Sequence, residues 1–234
     1  KLASIGELAA GVGHEINNPI NGVINCVDIL LTNLPQNAPD RQFAELIRSE
    51  AERVATIVKN LLTFSRQQYE HYSYASMADM VDTVLSLSAK RMEKSCIDFE
   101  VFVPEGLPRI RCRPEHLEQV LMNLIINAIH SLDERHPAAD PDKKLWIHVE
   151  SATVHQRKHL VMVVEDRGCG MSESTRQRIF DPFFTTKGRD KGTGLGLSVS
   201  DGIVKDHGGF FEVESEPNTF TWGACHAYHI DSRR

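Results

Sequence analysis

A histidine beside a glutamate, His14-Glu15, is followed by Asn18-Pro19 in a stretch that otherwise has helical spacing. An imidazole attacks as a nucleophile when one ring nitrogen keeps its lone pair, and an adjacent carboxylate takes the proton from the other. The Asn18 amide, one helical turn from His14, can hold a water against a phosphoryl group. His14 lies two residues from Val12 and two from Ile16. Two residues turn a helix by about 200°, so the imidazole is expected to face away from the apolar seam. Pro19 cannot donate to the carbonyl of Glu15, so a bend is expected just beyond the histidine. By itself, a surface histidine beside a glutamate is common and carries little.

Four more clusters follow in order. Asn123 and Asn127 stand at i and i+4 in Asn123-Leu124-Ile125-Ile126-Asn127-Ala128, so their amides share a helix face. Amide oxygens suit a hard cation such as magnesium. Asp166-Arg167-Gly168-Cys169-Gly170 ends a strand with a carboxylate and glycines, which suits close approach of a flat polar ring. Arg178-Ile-Phe180-Asp-Pro-Phe-Phe-Thr-Thr-Lys187 places aromatics in a loop, as an anchored lid would, with Lys187, Arg189 and Lys191 adding positive charge. Gly192-Thr193-Gly194-Leu195-Gly196-Leu197 opens a helix, and its backbone amides make a phosphate cradle. It is neither a Walker A motif nor a dinucleotide fingerprint, because their spacings are absent. Each cluster alone is weak, since polar helix faces, strand-ending turns and basic loops are ordinary.

The string from Gly6 to Pro19 resembles the phosphoacceptor box of sensor histidine kinases of two-component systems, in the His-Glu-x-x-Asn-Pro subgroup. The four later clusters resemble that family's N box, first glycine box, F box and second glycine box, in the family's order. The resemblance covers about residues 1–215. It implies that His14 accepts the phosphoryl group, Glu15 acts as base and Asn18 orients water in the reverse, phosphatase reaction. It implies ATP and Mg2+ as cofactors, with Asn127 on the metal, Asn123 at the phosphates and Asp166 accepting from the adenine amino group. Gly168, Gly170, Phe180, Lys187, Gly192, Thr193, Gly194, Leu195, Gly196 and Leu197 complete the implied nucleotide site. His130, whose family counterpart is often basic, is expected to reach a phosphate. The tail departs from the pattern: Asn218 precedes Thr219 where the family usually has a Gly-Thr pair, and Trp222-Gly-Ala-Cys-His226 follows.

The elements that must position these groups read as two blocks. Ile5, Leu8, Val12, Ile16, Ile20, Val23, Val27, Leu30 and Leu34 alternate by three and four, a heptad-like helical seam. Pro35, Asn37, Pro39 and Asp40 break it, and a second helix carries Phe43, Ile47, Val54, Ile57, Val58, Leu61 and Leu62. Two helices close no core alone, so an all-α hairpin dimerising into a four-helix bundle is expected over residues 1–72. Residues 73–234 mix helices and strands: helices near 76–93, 114–132 and 197–207, and strands near 97–103, 145–151, 160–165, 209–214 and 220–229. That pattern predicts an α+β sandwich with helices on one sheet face. The resemblance makes it the catalytic ATP-binding domain, of the histidine-kinase/Hsp90-like type.

A net charge of −6 speaks against nucleic acid as a partner, and no run approaches 18 apolar residues. Five scattered cysteines suggest a reduced, cytoplasmic setting. The chain opens without Met and inside a helical pattern, so a preceding sensor or membrane anchor is expected. The expected partners are a second copy of the chain and a response-regulator receiver domain. The rivals are an ATP-driven clamp of the same nucleotide-binding superfamily, and a non-catalytic binding module.

Overall fold

The computed structural model describes residues 2–35, 38–66, 72–154, 157–187 and 192–228; within them, side chains at 2–15, 17, 53, 56–57, 59–66, 154, 157–158, 222, 224 and 226–228 are not described. The chain forms two compact units, one of residues 1–70 with 185–193, the other of 71–184 with 194–234.

The first unit is a helical hairpin. Helix α1 spans Leu2–Asn33 and runs through Pro19; α2 spans Arg41–Arg66. Arg41 fixes the connection by donating to the carbonyls of Leu31 and Leu34 at the end of α1. Among the described residues, the buried side chains of the hairpin are alanines and valines. Val27 of α1 and Ala44, Ala51 and Val58 of α2 are buried, the last three at heptad spacing. Of the expected seam, Val27 and Val58 are buried within the hairpin, whereas Phe43, Ile47 and Val54 are exposed in it, as are Val23 and Leu30 of α1. The hairpin therefore has one face spent internally and a second apolar face open.

The second unit starts with a short strand, β1 (Ser73–Ala75), then α3 (Met77–Lys94), capped by Ser76. Strands β2 (Asp98–Phe102) and β3 (Ile110–Cys112) lead to α4 (Pro114–Arg135), with Pro114 in its first turn. The missing N–H of proline leaves no bond unmade there. Then come β4 (Lys144–Val154), β5 (Arg157–Asp166), a one-turn α5 (Glu173–Arg176), α6 (Gly196–Asp206), β6 (Phe210–Glu216) and β7 (Phe220–Tyr228).

Five strands form one mixed sheet in the order β2-β4-β5-β7-β6, while β1 and β3 pair separately. On β4, Leu145, Ile147 and Val149 are buried, and Met162 and Val164 of β5 pair across from Val149 and Ile147 on that face. Helix α4 packs on β5, and α6 on β6 and β7. The core lies between: Leu117, Leu121, Ile125, Ile129 and Leu132 of α4 are all essentially inaccessible. This is the expected sandwich.

Two details differ from the sequence reading, and a third concerns where an expected strand lies. The pair β1/β3 and helix α5 were not expected, because three- and four-residue elements carry no period. The alternation of β2 does not mark a buried face: all five residues are exposed on a sheet edge. The strand expected near 220–229 forms as β7, but it is inserted between β5 and β6, a position its own pattern did not indicate. Asn218, at the turn before it, has φ of +57°. Asparagine tolerates this left-handed conformation better than other side-chain-bearing residues, which is how it replaces the glycine expected there.

Candidate active site

The site in the second unit is built on one ridge of α4. Asn123, Asn127, Ser131 and Arg135 follow at intervals of four, and neighbours at that interval stack on one helix face. Asn123 Nδ2 donates to the Gly196 carbonyl (3.2 Å) and to Ser200 Oγ (3.1 Å), tying α4 to the first turn of α6. Its amide N–H groups are thus spent on the protein, and its oxygen is what it offers a ligand. Asn127 is half-buried one turn on.

Asp166 sits at the end of β5 on the helix-covered face, opposite Leu145, and is 4 % exposed. The Gly168 N–H donates to its Oδ1 (2.8 Å) and the Ser131 hydroxyl also bonds it. Burial dominates these bonds and pushes the carboxyl up from 3.8 to about 6. Ser131 also accepts the Cys169 N–H (3.0 Å). Arg135 Nη1 donates to the carbonyls of Arg167 (3.2 Å), Gly168 (3.0 Å) and Thr219 (3.1 Å). The Asn218 N–H reaches the Cys169 carbonyl at 2.6 Å. The β6–β7 turn is therefore bonded to the glycine loop that carries Asp166.

Gly168 has no room for a side chain. A Cβ there would overlap Ser131 Oγ and stand 2.6 Å from both Asp166 Oδ1 and the Ser131 backbone carbon. Gly168→Ala must push the loop off α4, which overpacking of this kind makes unfavourable by about 3 kcal/mol. A lowered thermal midpoint, with weaker nucleotide binding, is the expected result. Gly170 lies against the backbone of Glu216.

The aromatic segment is anchored as expected at Phe180, whose ring packs 5.5 Å from that of Phe211 on β6. Phe183 is different: it is 67 % exposed, with φ of +67°. Its N–H bonds the Gly194 carbonyl (2.9 Å), and Gly194, itself at φ +66°, would drive any Cβ into the Phe183 backbone. That contact ties the two ends of the segment 184–193. Within it, the Lys187 N–H bonds Thr185 Oγ1 (3.1 Å), and Gly192 lies close to the same hydroxyl. Arg189 and Lys191 lie outside the described residues. Leu195 is buried at the start of α6, and Gly196 and Leu197 form its first turn. Thr193, like Leu197, is half-buried.

On α1, His14 and Glu15 are helical, and the expected outward orientation of their side chains lies outside the described residues. Asn18 is exposed. His130 is placed against Arg91 of α3 (Nε2 to Nη2, 2.6 Å). Ser131, Arg135 and Arg91 were not singled out in the sequence. The i+4 ridge from Asn127 contained a signal for the first two; Arg91 had none.

Such a site — an amide-bearing helix over a sheet, a buried strand-end aspartate and a glycine-opened helix — defines an ATPase-type nucleotide fold, which follows the helical hairpin in the chain. Residues 112–229 match the family described as histidine kinase-, DNA gyrase B- and HSP90-like ATPase, and residues 4–70 match the His Kinase A (phospho-acceptor) domain. The chain belongs to the sensor histidine kinases. It is 35% identical over 229 residues to the sensor kinase CckA of Brucella abortus, covering 92% of this chain and 23% of that protein. It is 33% identical over 224 residues to the signal transduction histidine-protein kinase AtoS of Escherichia coli, covering 94% of this chain and 35% of that one. The chain thus spans well under half the length of these two relatives. Among solved structures, histidine kinase ThkA in complex with response regulator protein TrrA matches with a TM-score of 0.62 at 26% identity, over 96% of this chain and 62% of that one. Full-length ShkA in complex with AMPPNP shares the fold, with a TM-score of 0.69 at 23% identity, over 95% of this chain and 46% of that one.

Proposed function

We propose that residues 1–72 are a dimerisation and phosphotransfer domain and 73–234 its catalytic ATP-binding domain, which together move the γ-phosphoryl group of ATP to His14 and on to an aspartate of a response-regulator receiver domain. The observation that carries this reading is Asp166. A carboxyl held in the core at an unfavourable pKa, on a loop too tight for any side chain at 168, marks a recognition site rather than a packing position. Its carboxylate accepts from the adenine amino group.

The donor set fits magnesium. The Asn123 oxygen is left for a ligand by the bonds its nitrogen makes, and Asn127 presents a second amide one turn away. In this reading Asn127 holds the ion, which when bound neutralises phosphate charge. The backbone of Gly192–Gly196 and the start of α6 receive the phosphates, with Thr193 and Leu197 beside them, and Lys187 adds a charge from the lid. Phe180 keeps the lid anchored at its base. Glu15 takes the proton that His14 sheds, and Asn18 orients water when the phosphoryl group of the regulator is hydrolysed. Positioning and charge neutralisation supply the rate in phosphoryl transfer.

The open apolar face of the hairpin, with Ile29, Leu30, Phe43, Leu46 and Ile47 exposed, supports a homodimeric four-helix bundle. Among the described residues, no helix is long and apolar enough to cross a membrane. Use of ATP, a cytoplasmic nucleotide, supports a cytoplasmic setting for this chain.

Incubation with γ-labelled ATP and magnesium tests the reading. The chain itself is expected to become labelled, and chelation of the metal to prevent it. Release of labelled phosphate with none on the protein would favour the clamp instead.

A further inference from the structure

Helix α3 ends against α4 through two adjacent ties. At the last turn, Ser95 Oγ donates to Asp133 Oδ2 (3.0 Å), and Asp133 Oδ1 pairs with the buried Lys143 (2.8 Å). One turn earlier, Arg91 Nη2 lies 2.6 Å from His130 Nε2. A guanidinium has donors only. In this contact His130 Nε2 is therefore the acceptor. The ε nitrogen of His130 is occupied by Arg91.

Arg91 is exposed and makes no ion pair among the described residues. Asp133, one turn along α4 from His130, is already committed to Lys143 and Ser95. Among the described residues, then, no carboxylate pairs with the Arg91 charge. His130 follows Asn127 by three residues, a rise of about 4.5 Å on the same face. A planar fork of donors, beside the amides assigned to the metal and phosphates, complements a phosphate oxygen pair.

We infer that Arg91, oriented by His130, is a cationic contact for the phosphate chain of the nucleotide, and that His130 acts by holding Arg91 instead of touching phosphate itself. This rests on the nucleotide reading above and adds a residue from α3 to it.

Competition binding of ATP and of adenosine to the chain and its variants tests the inference. Hydrogen bonds to charged groups are worth enough that Arg91→Ala should weaken ATP roughly 10- to 100-fold and leave adenosine within about twofold. Arg91→Lys should recover part of the loss, because a point charge remains without the fork. His130→Gln keeps an acceptor for the guanidinium and should bind ATP nearly as the unaltered chain does; His130→Leu should not. Equal losses for ATP and adenosine in Arg91→Ala would make Arg91 structural and overturn the inference, as would unchanged ATP affinity. Equal weakening by His130→Gln and His130→Leu would overturn the positioning role. Failure of the unaltered chain to bind ATP would remove the nucleotide reading, and Arg91 with it.

Discussion

Asp166→Asn is expected to make the empty protein more stable and to abolish its affinity for ATP. In the unfolded chain this carboxyl ionises near 3.8, whereas in the folded one burial moves it to about 6. Between those values the folded state holds more protons, so stability falls as pH rises through that window and the loss is complete above it. About two pH units correspond to about 3 kcal/mol at neutral pH. Asparagine carries no charge, and its oxygen can still accept the Gly168 N–H. The variant should therefore unfold at higher temperature at pH 7, and its advantage should vanish near pH 4. Binding goes the other way. At pH 7 the native carboxylate is mostly ionised and presents an acceptor to the adenine amino group. The asparagine amide can turn its NH2 there, and a buried donor facing a donor forfeits its hydrogen bond. Sites built on such a bond reject the wrong partner strongly, so a loss of at least about 100-fold in ATP affinity is expected. Thermal melts from pH 4 to 8 beside nucleotide titrations check both halves. A variant that loses stability at pH 7 while keeping ATP affinity would show that Asp166 is a structural carboxyl.

The sequence was most informative where chemistry and period coincide. The heptad seam of α1, the break at Pro35–Asp40 and the Pro114 start of α4 are local signals, and the helices formed there. The glycine clusters were legible because close approach and positive φ admit few other residues. What stayed hidden depends on contacts between distant segments. Arg91 and His130 are 39 positions apart, and nothing near either one announces the pair. The large residues of α2 were read as one side of a seam for a four-helix bundle; of these, Val58 is buried within the hairpin and Phe43 and Ile47 are exposed, while the burial of Ala44 and Ala51 had no signal of its own. The strand of the tail was legible, but its place between β5 and β6 was not, because that order is set by its two neighbours and not by its own pattern. Its turn was readable after all: Pro217-Asn218 is turn chemistry, and Asn218 takes the left-handed conformation.

His14→Gln carries the other large effect. Glutamine is polar and of similar reach, and it sits in a helix at no great disadvantage, so the hairpin should fold. It has no nucleophilic nitrogen, because the amide lone pair is delocalised. Phosphoryl transfer to the chain should vanish, while ATP affinity, which is carried by residues outside the hairpin helices, should be unchanged. Asn18→Ala should leave transfer to His14 intact and slow only the reverse hydrolysis on the regulator. The most direct measurement of the central claim is labelling of the chain and of His14→Gln side by side with γ-labelled ATP and magnesium, with ATP affinity determined for both. Label on the unaltered chain, none on His14→Gln and equal affinities are the predicted result. Label that persists in His14→Gln would contradict it.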